Sequence, residues 1–303
     1  MKTSNKSLTF KFVGLFFSAR GYNILMIILA QYLASIFILA PDSLTLKQIL
    51  FDENLLIIVL CSALVIASGY LINNFYDSEK DLINKPLKTY IDNKVSPRTK
   101  LSIYFILNFI SIILASYISF RAVIFFSAYI FGIWLYSHKL KRITFIGNMI
   151  AASLAITPFF AVFVYYKHFE PVIFFHAVFL FLLILIREIT KDLENLKGDF
   201  AQNYSTIPVK FGEKYTKSVL SIIFFLAFLT TLLLVYFFNL GYMNFYFYTC
   251  LGAFVFLVIY LWSSHKRIQF KILHILLKIL IIVGVFSILL IDTDLVLKKM
   301  IDF

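Results

Sequence analysis

The chain reads as an all-α polytopic membrane protein of nine transmembrane helices, and three observations lead there. Of its 303 residues 61% are hydrophobic and only 15% charged, and the mean hydropathy is +0.89. That is too apolar for one soluble core and fits a chain whose solvent is the bilayer. Apolar stretches long enough to cross recur along the whole sequence. Lys and Arg gather in alternate connections between them, as the positive-inside rule requires.

Taken in order, the spans lie near 22–40, 54–73, 101–118, 121–136, 143–166, 171–190, 218–238, 242–262 and 272–291. Only Ser119, Phe120 and Arg121 separate the third from the fourth. The basic N-terminus leads into a full-length span without a small-residue cleavage site, so the first helix is expected to stay. The N-terminal tail carries four basic residues (Lys2, Lys6, Lys11, Arg20), and the second, fourth, sixth and eighth loops carry six, three, six and three, which puts 22 on that side. Five face the other way: Lys47, Arg121, Lys167, Lys298 and Lys299. The N-terminus and the even-numbered loops are therefore expected in the cytoplasm, in a multi-pass protein of the cell membrane. The formal net charge of +12 is this topology signal, with attraction for anionic headgroups or phosphates, and calls for no nucleic-acid partner. Cys61 and Cys250 fall inside apolar spans and read as small core residues. No linker or low-complexity tract divides the chain, so one membrane domain over 1–303 is expected.

Two acidic runs leave two of these spans. At about 100° per residue, Asn73, Asp77 and Asp81 climb one helix face, with Asn84 on the same stripe, and Glu188, Asp192, Asn195 and Asp199 do likewise. Asn73 to Asn84 has the same separation as Glu188 to Asp199, which hints at two similar halves. Nine of the 16 acidic residues lie in these two loops. Glu79 and Glu194 point about 120° away from the columns and read as surface charges paired with local lysines. Pro86 and Pro208 end the helical reading. Two facing columns would enclose a pocket of carboxylates and amides, which suits a magnesium ion that completes its shell with substrate phosphate. Basic groups stand nearby: Arg20, Lys139, Lys141, Arg142, and Arg187 ahead of the second column. Asn23 sits one turn deeper than Arg20, where an amide needs a partner or a cavity. Tyr70 lies one turn before Asn73 and is the aromatic to test first. His176 and His274 match no zinc spacing and read as helix–helix contacts.

With the first column followed by Asn84-Lys85-Pro86, with Tyr136-Ser137-His138-Lys139-Leu140-Lys141-Arg142 and with Gly147-Asn148, the chain resembles the UbiA superfamily of intramembrane prenyltransferases over nearly its full length. Its second column, then Ser205-Thr206-Ile207-Pro208-Val209 and Phe211-Gly212-Glu213-Lys214, is similar to the ether-lipid branch that includes digeranylgeranylglyceryl phosphate synthase. The resemblance implies a nine-helix bundle whose central cavity opens to the cytosolic side, and Mg2+ held by Asn73, Asp77, Asp81, Glu188, Asp192 and Asp199. Asp77, Asp81, Asp192 and Asp199 would be catalytic. Arg20, Asn23, Tyr70, Lys139, Lys141, Arg142, Arg187 and Asn195 would bind substrate. The reaction implied is prenyl transfer from a prenyl diphosphate to a lipophilic acceptor, geranylgeranylglyceryl phosphate foremost and an aromatic quinone or pigment precursor second. The sequence departs from the pattern at Asn74 and Asn195, where Asp is usual, at Gly21-Tyr22, where Pro often follows the Arg, and at Asn203, which replaces a common Gly and can also adopt positive φ. The two Asp-to-Asn changes lower the negative charge of the site. A rival of another class is a cation-coupled transporter, since intramembrane carboxylates mark ion paths; such sites lie near the midplane on broken helices, whereas these columns begin at helix ends.

Overall fold

A computed structural model describes residues 14–16, 18–41, 43–93 and 95–291. Of the charges used above to orient the chain, Lys2, Lys6, Lys11, Lys94, Lys298 and Lys299 lie outside the described residues. Among the described residues nine helices are long and apolar enough to cross a membrane: α1 Gly21–Leu39, α2 Glu53–Tyr76, α3 Pro97–Ile118, α4 Phe120–His138, α5 Ile146–Tyr166, α6 Pro171–Glu194, α7 Ile207–Phe237, α8 Gly241–Ser263 and α9 Arg267–Leu290. The chain is a multi-pass helical membrane protein. Several boundaries move relative to the hydropathy reading, and three of them bear on the acidic runs. Helices α2 and α6 run on to Tyr76 and Glu194, because their polar last turns are covered by other loops and do not end at the apolar limit. Helix α7 starts at Ile207, eleven residues before the apolar run, and is broken at Gly212 (φ 82°, ψ 171°), a conformation that only glycine adopts readily. A single extended residue, Ser119, parts α3 from α4, and its hydroxyl accepts from Ala122 N at 3.1 Å to cap the new helix.

The bundle packs as two apolar clusters. One joins α1 to α5, around Leu39, Leu55, Val65, Phe126 and Val162. The other joins α6 to α9, around Leu183, Ile186, Phe224, Phe254 and Leu273, with Ala152 and Ile156 of α5. In α2 and α6 61% and 50% of the most apolar stretch is buried, against 17–39% in the other seven. The two helices that carry the acidic runs are thus the innermost ones.

Backbone groups freed inside the bilayer find partners, as hydrocarbon demands. Pro158 within α5 has no N–H to give Leu154, and the orphaned Leu154 carbonyl accepts from Tyr129 Oη at 3.0 Å. The Pro158 carbonyl accepts from Gln31 Nε2 at 2.8 Å, which ties α1 to α5. Ser68 Oγ donates to Asn108 Oδ1 at 2.6 Å and fastens α2 to α3.

Alternate loops meet at one end of the bundle. The Ser205 amide donates to the Arg142 carbonyl at 3.1 Å, and Arg267 donates to the Asn84 and Glu194 carbonyls. This is the end that carries both acidic runs.

Candidate functional site

Each acidic run is a helix, a break and a short helix. Helix α2 breaks at Asp77 (φ −94°, ψ 4°) before Ser78–Asn84, and α6 breaks at Asn195 (φ −99°, ψ 9°) before Leu196–Ala201. The straight columns expected from helical spacing are therefore kinked in their middle, although the i to i−4 bonds continue, Asp81 N to Asp77 O at 2.8 Å and Asp199 N to Asn195 O at 3.1 Å. The two breaks have similar dihedral angles but fall at different points of the equal spacings, Asp77 four residues after Asn73 and Asn195 seven after Glu188. The helix Ser78–Asn84 does stop just before Pro86, which opens the next, Pro86–Asp92, whereas Pro208 lies in the first turn of α7 and ends nothing.

The runs interlock through Asn84. Its Nδ2 donates to the Asn195 carbonyl and its Oδ1 accepts from the Gly198 amide, both at 3.2 Å. A Cβ on Gly198 would lie 2.2 Å from Asn84 Nδ2, so only glycine allows the approach.

The carboxylates do not close around one point. Among the described residues no three His, Cys, Asp or Glu side chains converge as a ready metal cluster. Instead most have a cation of their own. Lys141 Nζ lies 2.7 Å from Asp77 Oδ1 and 3.3 Å from Asn73 Oδ1. Lys80 Nζ lies 2.6 Å from Asp199 Oδ1, and Glu188 is gripped by Lys191 at 2.6 Å and Arg187 at 3.0 Å. Asp192 accepts from Asn148 Nδ2 at 2.7 Å. Asp81 is buried in the same region. The physical reason is that like charges withdrawn from water repel, and each is stable there only beside a counter-charge or donor.

Burial pushes the Asp77 carboxyl upward, but Lys141 and Lys80 outweigh it and hold it down at about 2. Burial likewise works against the Lys80 ammonium, and Asp77 and Asp199 overcome it, so its pKa is raised. At Asp199 burial wins over Lys80 and the carboxyl is raised. Tyr204 organises the cluster: its hydroxyl donates to Asp77 Oδ1 at 3.0 Å, and its ring lies 4.4 Å from Lys80 Nζ and 5.0 Å from the Arg142 guanidinium. It is placed by Asn203, which takes positive φ (54°) as expected for a residue standing in for glycine.

Arg20 lies 5.0 Å over the Tyr70 ring, whose hydroxyl accepts from Asn23 Nδ2 at 3.2 Å. These three line a central cavity of about 710 Å³ together with Asn73, Arg187 and Glu188, and the cavity continues between the helices to Phe159, Phe179 and Phe247. Charged groups cluster at one end, and the rest is lined mainly by hydrocarbon, with Gln31, His176 and Lys278 among it.

Several sequence assignments need correction. Lys139 is exposed and makes no hydrogen bond or ion pair among the described residues, so it is not drawn into the cluster. Glu194 is no surface charge: it is buried and held by His274 Nδ1 at 2.9 Å. Glu79 is exposed, as its helical phase implies. Asn74 does not face the acidic cluster; it donates to Asp92 Oδ2 at 2.7 Å and accepts from Lys100 Nζ at 2.6 Å. An Asp there would set two carboxylates against each other, so the Asn goes with Asp92. Five residues were missed: Lys80, Lys191, Asn148, Tyr204 and Lys278. Lys278 was legible in principle, since a lysine inside an apolar span marks a cavity or partner. It lines the central cavity, its Nζ 4.5 Å over the Tyr22 ring.

Whether the residues suit a divalent cation is answered by oxygens they leave over. Asp199 Oδ2 and Asn195 Oδ1 are buried without a hydrogen-bond partner, which is costly unless a cation or donor meets them. The donor set is hard oxygen throughout, the kind that magnesium takes.

Comparison with solved structures defines the fold first. A structure of digeranylgeranylglyceryl phosphate synthase matches with a TM-score of 0.68 and 22% identity over 92% of this chain and 97% of that one. A UbiA homologue from Archaeoglobus fulgidus, bound to GPP and Mg2+, matches with a TM-score of 0.66 and 13% identity over 91% and 99%. The fold is that of these membrane proteins. Residues 24–282 match the UbiA prenyltransferase family, and the chain belongs to that family. Among its relatives, digeranylgeranylglyceryl phosphate synthase of Thermococcus sibiricus is 32% identical over 78% of this chain and 84% of that protein. The Korarchaeum cryptofilum protein of the same name is 34% identical over 61% of this chain, a match that spans 64% of the relative's length, just under two thirds.

Lys141→Met should lower stability in magnesium-free detergent by about 3–5 kcal/mol, because it leaves Asp77 buried without its charge partner. Adding Asp77→Asn should restore most of the loss. Thermal unfolding of the two variants checks this; a double variant as unstable as the single one would show that the lysine acts through packing alone.

Proposed function

We propose that the protein transfers a prenyl group from a prenyl diphosphate to a lipophilic acceptor in a magnesium-dependent reaction, with geranylgeranyl diphosphate as donor and geranylgeranylglyceryl phosphate as acceptor. The observation that carries this is one cavity with two unlike ends. Its mouth gathers Arg20, Asn73, Arg187, Glu188 and Lys191, and its body is mainly aliphatic and aromatic. A diphosphate head suits the first and an isoprenoid tail the second.

Asn73, Asp77, Asp81, Glu188, Asp192 and Asp199 would hold magnesium, with Asn195 Oδ1 a further oxygen. Bound there, the metal would supply positive charge against the departing diphosphate. The lysines that pair with these acids in the structure, Lys80, Lys141 and Lys191, stand ready to donate to the phosphate oxygens. The bond between C1 and oxygen breaks with its electron pair leaving on diphosphate, the acceptor hydroxyl oxygen bonds to C1, and the hydroxyl proton is released. Tyr70, stacked with Arg20, is the ring we assign to shield the allylic cation.

The acceptor assignment rests on two supports. Relatives that match much of the chain bear the name digeranylgeranylglyceryl phosphate synthase. Lys278 adds a cation inside the cavity beyond those needed for one diphosphate, and an acceptor phosphate requires one. The 22 basic residues on the side of the acidic end, against five opposite, support a cytoplasmic position for that end, in the cell membrane.

The test is product formation from geranylgeranyl diphosphate with two competing acceptors, geranylgeranylglyceryl phosphate and a hydroxylated benzoate. Wild type should prenylate the glyceryl phosphate. Asp77→Ala and Asp192→Ala should each lose at least about a hundredfold in rate, roughly 2.7 kcal/mol of barrier, while Glu79→Ala stays within about twofold. Prenylation of the benzoate alone would overturn the acceptor, and equal losses at Glu79 and Asp77 would overturn the site.

A further inference from the structure

A second cavity, of about 560 Å³, opens at the same end of the bundle and shares no lining residue with the central one. Three pieces of chain wall it: Asn84, Lys85 and Leu87 at the joint between the two short helices, Glu194 at the end of α6, and Arg267 and Lys271 in the first turns of α9. Its charges are unequal. Leaving Lys85 aside, Arg267 and Lys271 face one carboxylate, Glu194, which His274 already holds at 2.9 Å. Arg267 spends Nε and Nη2 on the carbonyls of Glu194 and Asn84, which are neutral acceptors. Lys271 is exposed and has no hydrogen bond or ion pair among the described residues. A concave site with surplus positive charge selects an anion.

The surroundings say which kind. Leu87 is 84% exposed and Ile268 57%. Both line the pocket, which lies between the end of α6 and the start of α9. Apolar side chains beside a basic pocket at that level suit the boundary between headgroups and acyl chains. We propose that this cavity binds the phosphate headgroup of an anionic membrane phospholipid, with Arg267 and Lys271 on the phosphate and Leu87 and Ile268 against the acyl chains. A free phosphate would share the anion chemistry but gain nothing from the apolar border. The lipid would also touch the joint of the two acidic runs, since Asn84 is at once a wall of this pocket and the clasp on Asn195 and Gly198.

The experiment is a titration of purified protein in neutral detergent with dioleoyl phosphatidylglycerol, bound lipid being read by native mass spectrometry. It measures binding only, so it stands apart from the transferase reading. Wild type should retain phosphatidylglycerol in preference to phosphatidylcholine, and Lys271→Gln should weaken that retention about fivefold, the factor one basic side chain contributes at an anionic surface. Lys197→Gln, which removes an exposed lysine outside the pocket, should leave it unchanged. Retention of phosphatidylcholine to the same extent, or no effect of Lys271→Gln, would overturn the site. Displacement by inorganic phosphate at equal concentration would overturn the lipid assignment.

Discussion

Buried carboxylates at the ends of the two innermost helices are the constraint on which the rest depends. Helices α2 and α6 are central because they are the most enclosed, and a charge carried there cannot rely on water. The structure answers with counter-charges brought from distant parts of the chain. Lys141 arrives from the loop between α4 and α5 for Asp77, Lys80 crosses from the first acidic run to Asp199 of the second, and Tyr204 joins Asp77 to both lysines. The loops at this end are therefore parts of the site and not connections between spans. Asn84 locks them together, and Gly198 permits the contact.

This arrangement also explains how one bundle can present charge and hydrocarbon to a single ligand. Most of the charge is gathered at the mouth of the central cavity, with Arg20, Arg187, Glu188 and Lys191 beside Asn73, and the walls beyond are mainly Ile, Leu and Phe, with Gln31, His176 and Lys278 as polar exceptions. A cation generated at the junction would meet aromatic faces on one side and anionic groups on the other. Few solvents offer that combination, and exclusion of water is what an allylic cation needs in order to reach its acceptor.

The spans and the acidic residues were legible in the sequence because both rest on local patterns. Apolar length marks a crossing whatever it packs against, and the spacing of Asn73, Asp77 and Asp81 survives the break at Asp77 because the backbone bonds continue through it. What was not legible is partnership. Lys80 and Lys191 were counted as topology charges, and nothing nearby in sequence says that Lys80 meets Asp199, 119 positions away, at 2.6 Å. Glu194 illustrates the same limit: its helical phase set it apart from the column, correctly, but its neighbour on that side is His274 of α9 and not water. Asn74 was read as charge lost from the site, whereas its side chain serves Asp92 and Lys100.

The central claim is that the paired acidic runs hold a magnesium diphosphate. Calorimetric titration with a non-ionising donor, geranylgeranyl thiodiphosphate, tests it most directly, because binding is measured without turnover or an acceptor. The account predicts that the analogue binds in magnesium and loses at least about a hundredfold in affinity, roughly 2.7 kcal/mol, both in chelator and in Asp192→Asn. Equal affinity with and without magnesium, undisturbed by Asp192→Asn, would contradict it.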